Sequence, residues 1–220
     1  MDTFEEARDK ILAEFTSDDK DIRVVYLKHF KSDVERFSES MARAFLNWRS
    51  LDSSLQRNEK RAYISALVYT AITLHVLSIK LFVSGNTVAA GSLFRQVVET
   101  LALALVCSGK DLGILDRFME NKYSTNDAVR DAMRYAEKLG LNRDGVKGLS
   151  NVQTFYSKYS HPTHLTIAMV MSFSTKDLYF GGAFDDKKLD AYRKEINVRV
   201  GLANVFSNFI DGVRANIAKW

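Results

Sequence analysis

Hydrophobic residues recur at steps of three and four along most of this chain, the spacing that lines one face of an α-helix. Phe4, Ala7, Ile11, Leu12 and Phe15 form the first such stripe, with Asp2 placed to cap it. A longer stripe follows the capping run Ser17-Asp18-Asp19 and takes in Ile22, Val25, Tyr26, Phe30, Val34, Phe37, Met41, Ala44, Phe45 and Trp48. Asn47 to Ser54 then reads as a polar break. Two further segments, about Asn58 to Val83 and Thr87 to Cys107, are apolar around most of their circumference, which predicts buried central helices. Ser84-Gly85-Asn86 ends the first and Ser108-Gly109-Lys110 the second, glycine suiting a helix terminus.

Shorter helices are expected at about Leu112 to Asn121 and Thr125 to Leu139, and Gly140 to Gly148 reads as a loop. Ser150 would cap another helix through Tyr159, which must stop before Pro162. Ile167, Met169, Met171 and Phe173 alternate, and Leu178 to Gly182 offers a return strand. Residues 166–182 therefore hold either a small β-hairpin or, from Leu165, one more helix. A last amphipathic helix covers about Lys187 to Ile217, with Leu189, Tyr192, Ile196, Val200, Ala203, Phe206, Ile210 and Val213 on its apolar side. The predicted fold is mainly all-α: a single-domain bundle over 1–220, with helices of 1–55 packed on a 58–164 core and a C-terminal helix at 187–217.

Composition agrees with that pattern. The chain has one proline in 220 residues, against an average usage of roughly 5%, and helix interiors exclude proline. The lone Cys107 sits in an apolar run, which points to a buried, inert thiol in a reducing compartment. Eighteen residues from Ala62 to Ile79 carry no Lys, Arg, Asp or Glu, near the length of a membrane span. They include Tyr63, Tyr69, Thr70, Thr73 and His75, and the next apolar segment carries Arg95 and Glu99. Soluble core helices fit this better than a membrane hairpin. With no signal-peptide pattern at the N-terminus, a cytoplasmic protein is expected. The net charge of +4 is spread through mixed runs such as Asp185-Asp186-Lys187-Lys188, so RNA or other nucleic acid is only weakly supported as a partner.

The phosphate-loop, dinucleotide-binding, nucleophile-elbow and paired-cysteine motifs are absent, and neither cofactor nor metal is expected. Two constellations carry what chemistry there is. Arg95 and Glu99 are the formal charges between Leu81 and Cys107 and share a helix face with Val88, Gly91, Ala102 and Val106. They form either a buried ion pair tied to a neighbouring helix or a charged site in which Arg95 holds an anion and Glu99 positions it. The second constellation is the segment Phe155 to His164, which crowds Tyr156, Tyr159, Ser160, His161, Pro162 and His164 into a helix end. Tyr and Ser can donate to developing negative charge and His can titrate near neutrality, whereas the same groups could equally cap the helix and bond across the core. The candidate site is thus Arg95, Glu99 and His161 as catalytic groups, with Tyr156, Ser160 and His164 as ligand-binding groups.

Leu93-Phe94-Arg95-x-x-x-Glu99, followed by Tyr156-x-x-x-Ser160-His161-Pro162, resembles a group of bacterial helical proteins related to the HEPN superfamily. That resemblance, over about 61–166, implies a helical bundle, a homodimer and a setting in toxin–antitoxin or phage-defence systems. Active members cleave RNA without metal through an Arg-x4–6-His motif. This chain lacks it, the nearest arginine upstream of His161 being Arg143. The competing expectations are a non-catalytic homodimeric interaction protein and a nucleic-acid-binding protein without catalysis.

Overall fold

The computed structural model describes residues 3–55 and 58–220. Nine α-helices occur among the described residues: α1 (Phe4–Thr16), α2 (Lys20–Ser54), α3 (Glu59–Val83), α4 (Thr87–Ser108), α5 (Ile114–Met119), α6 (Ala128–Arg134), α7 (Arg143–Tyr156), α8 (His164–Val170) and α9 (Leu189–Ile217). The protein is an all-α bundle, as the periodicity predicts.

Helix α4 is its axis. Every residue from Leu101 to Ser108 is buried, so this stretch is apolar all round because protein surrounds it on every side. Gly85, at φ +79°, turns the chain from α3 back along α4. Helix α9 runs parallel to α2: Tyr26 packs on Tyr192, Ser40 bonds Asn204, and Asn47 bonds Asp211. Helix α3 runs antiparallel to α2, with Phe30 against Phe82 at one end and the Trp48 indole donating to the Ser65 carbonyl at the other. Helix α7 lies antiparallel to α4, Gln153 reaching Glu99 and Tyr156 crossing Phe94 edge-on. Helices α3 and α4 are each long and apolar enough to cross a membrane. Their most apolar stretches are 44% and 72% buried inside the bundle, a pattern compatible with a soluble protein.

Several local expectations are corrected. Asp2, assigned as the first cap, lies outside the described residues; α1 is capped by Thr3, whose hydroxyl accepts from the Glu6 N–H while the Glu6 carboxylate accepts from the Thr3 N–H. Asn47 to Ser54 is no break, since α2 continues to Ser54. Its polar residues are either exposed or bonded to α9, and Leu51 keeps the buried stripe going. The loop at 140–148 is largely helix. Asn142 accepts from the Gly145 N–H and opens α7, and Val146, Leu149 and Val152 supply an inward stripe that outweighs Gly145 and Gly148. Ser150 therefore caps nothing. Residues 164–170 are helical, and one antiparallel bridge, Met171 to Leu178, closes the turn that follows, so no two-stranded ribbon forms there. Helix α1 buries none of its residues, and Phe4 and Phe15 are 78% and 81% exposed. Its amphipathic pattern predicted a face to cover, but the expected packing of that face on the core is not seen.

Cys107 is fully buried and its thiol is pushed up to about 12 by that burial. The native protein should therefore react with a thiol reagent such as DTNB only on the timescale of unfolding, and immediate labelling would contradict the burial.

Candidate functional site

Arg95 and Glu99 lie one turn apart on α4, and the Arg95 Nε donates to Glu99 Oε1 at 2.8 Å. The pair is only partly sealed, the side chains being 17% and 12% exposed. Arg95 Nη2 also donates to Asn126 Oδ1 at 3.0 Å, and Gln153 Nε2 of α7 donates to the same Glu99 oxygen at 3.0 Å. Two charges near the core are thus held by each other and by amides from two other segments. Glu99 borders a small hollow of about 270 Å³ with Gln96, Thr100, Leu103 and Thr125.

The second constellation divides. Tyr156 and Tyr159 turn inward, whereas Ser160, His161 and His164 are exposed. Ser160 stands 3.4 Å from Ser92, on the α4 face that carries Arg95 one turn further on. Neither imidazole bonds Arg95 or Glu99, and no group of three or more His, Cys, Asp or Glu among the described residues is arranged to hold a metal. His164 simply begins α8 after the Thr163–Thr166 capping box.

Tyr156 and Tyr159 instead enter a buried network that charge counting along the sequence missed. Their hydroxyls donate to Glu195 Oε2 and Oε1, both at 2.7 Å, so one carboxylate is held at both oxygens. Burial raises both phenols well above their usual range and keeps them protonated donors. Arg199, wholly buried one turn along α9, donates through Nη1 to Glu195 Oε2 at 2.6 Å. Its Nε and Nη2 have no hydrogen-bond partner. The guanidinium instead lies 4.9 Å from the Phe94 ring, 5.3 Å from Phe82 and 5.4 Å from Tyr156, a cation held by aromatic faces. His75 Nε2 donates to the Arg199 carbonyl at 3.1 Å, while its Nδ1 is buried without a partner. Its ring stacks on Phe94 and Phe206. Burial, reinforced by the Arg199 charge, lowers His75 to about 3, so the imidazole is neutral. One signal was available: Glu195 and Arg199 fall in step with Tyr192, Ile196 and Val200 on the core-facing side of α9.

A different face is open. Between the first half of α7 and the outer side of α9 runs an apolar groove of about 640 Å³, walled by Leu141, Val152, Val198, Leu202, Val205 and Phe209. Along α9, Val198, Leu202, Val205 and Phe209 make a second stripe that flanks the buried one and meets it at Leu202, and Val198 and Val205 are 37% and 41% exposed. Gly148 and Gly201 open the groove, since a Cβ on either would meet no atom within 4 Å.

The fold and these sites define an all-α bundle with a closed ionic core and an open apolar groove. No family model, curated protein or solved structure matches the chain.

Proposed function

We propose that this is a non-catalytic, cytoplasmic interaction protein that self-associates as a homodimer through the α7–α9 groove. The observation that carries this reading is the groove itself. An apolar cleft of about 640 Å³ has the size and lining that binding sites typically have. Site chemistry supports the same direction, because Arg95 is committed to Glu99 and Asn126 and shares no bond with His161. Kinship with HEPN proteins and a role in defence remain part of the proposal through the sequence resemblance alone. Ribonuclease chemistry does not, since it would need Arg95 and an imidazole to act on one phosphate.

Val198→Glu and Val205→Glu test it. Both positions are surface-exposed, so the fold should survive while a carboxylate enters the apolar contact. Light scattering coupled to size-exclusion chromatography should show two 25.0 kDa chains for the native protein and one for each variant. A native monomer at tens of micromolar, or a dimer indifferent to both substitutions, would sink the reading.

A further inference from the structure

We infer that the end of the bundle where α3 begins and α4 and α9 finish is an anion site for the phosphate group of a small molecule, held by Arg61 and Lys110. The inference goes beyond the self-association reading, and the site shares no lining residue with the α7–α9 groove.

Two adjoining hollows open at this end, of about 290 and 360 Å³, and Lys110 and Trp220 line both. Lys60 and Arg61 border the first, Lys138 and Lys219 the second, so five basic side chains stand against Asp111 and Asp116. Asp116 is already paired with Lys60. Helix ends explain part of this excess. Helix α4 stops at Ser108 and α9 at Ile217, and the carbonyl ends of both favour nearby cations, which accounts for Lys110 and Lys219.

Arg61 has no such account. It lies in the first turn of α3, three residues after the Asn58 cap, where the helix dipole is positive and favours an anion. Among the described residues its side chain makes no ion pair and no hydrogen bond, and its Nε is buried without a partner. Its nearest compensation is the Trp220 ring, 5.9 Å from the guanidinium. That ring is fixed in turn: the indole N–H donates to the Ser108 carbonyl at 2.8 Å, and the Asn216 amide ties Ser108 to the Leu139 carbonyl.

A partly buried cation on a positive helix end is unfavourable until an anion meets it. The planar fork of a guanidinium matches two oxygens of one phosphate, and the exposed, unpaired Lys110 ammonium adds a point charge. The surplus of bases over acids suits a dianion better than a singly charged carboxylate. The first hollow takes the phosphate, and the second has room for the body of a molecule that carries it.

Isothermal titration calorimetry on the full-length protein at low ionic strength, with inorganic phosphate and AMP as separate probes, tests the site. At least one probe should bind with a submillimolar Kd, and added salt should weaken it. Arg61→Gln and Lys110→Gln should each weaken binding by about tenfold or more. Lys110 is exposed, so its variant retains the fold even if Arg61→Gln does not. The chain's two tryptophans give a second readout: in a proton–nitrogen correlation spectrum the Trp220 indole signal should move with either probe that binds, and that of Trp48 should stay. Equal Kd values would identify free phosphate as the ligand, and tighter binding of AMP an organic phosphate that uses the second hollow. No binding of either probe up to about 10 mM, or binding indifferent to both substitutions, would overturn the proposal. So would a Trp220 signal that does not move at saturation. Retention of single-stranded RNA with neither small probe bound would also overturn it, and would assign this basic end to nucleic acid.

Discussion

Replacing Glu195 with leucine is expected to cost about 3–5 kcal/mol of folding stability, the range seen when one partner of a buried ion pair is removed. The effect is large because Arg199 has nowhere to go. Its side chain is fully buried, two of its nitrogens already lack hydrogen bonds, and the aromatic faces of Phe82, Phe94 and Tyr156 cannot replace a carboxylate. The substitution also strips the acceptor from both the Tyr156 and Tyr159 hydroxyls. Urea or guanidinium unfolding followed by circular dichroism measures the loss. The double variant Glu195→Leu/Arg199→Met should recover most of it, since removing both charges removes the desolvation cost as well. A Glu195→Leu protein within about 1 kcal/mol of native would mean that water reaches Arg199 and that the network is not sealed.

The second large effect is on acid stability. His75 is lowered to about 3 in the folded chain, first by burial and then by the charge of Arg199, whereas an unfolded histidine titrates near 6.5. Below about pH 6.5 the unfolded state therefore binds a proton that the folded state refuses, and stability falls as the pH falls. The limiting slope is about 1.4 kcal/mol per pH unit, so on the order of 4 kcal/mol is lost by the time pH 3 is approached. Carboxylates titrate in the same range and will add their own terms. The decisive comparison is with His75→Phe, which keeps a ring between Phe94 and Phe206 and removes the proton site. Unfolding free energies measured from pH 7 to pH 4 should diverge, with the variant losing less. Parallel curves would show that His75 is protonated in the folded protein.

Both expectations concern residues whose importance the primary structure conceals. Glu195 and Arg199 have the i,i+4 spacing usual for charge pairs on a helix surface, and only their being in step with Tyr192, Ile196 and Val200 hints otherwise. Their burial depends on Tyr156 and Tyr159, which approach from 36 to 43 residues away. Arg95 and Glu99 were legible because they interrupt an otherwise apolar segment, and the structure pairs them with each other and with Asn126 and Gln153. His161 and His164 were conspicuous by composition, yet they lie exposed beyond the helix end.

What the sequence determined by itself is the set of long helices and the inward face of each, because three-to-four periodicity and the turn at Gly85 act over a few residues. Asn47 to Ser54 and Gly140 to Gly148 misled for the same reason: local propensity there favours a break, and packing of Leu51, Val146 and Leu149 overrides it by burying apolar area. Tertiary structure alone decided which faces stay open. The α7–α9 groove exists only where two helices some 50 residues apart in sequence meet across glycines. The bare flank of α1 follows from the absence of any buried residue along it. Periodicity states that a face is apolar; only the arrangement of all the other helices determines whether something within the same chain covers it.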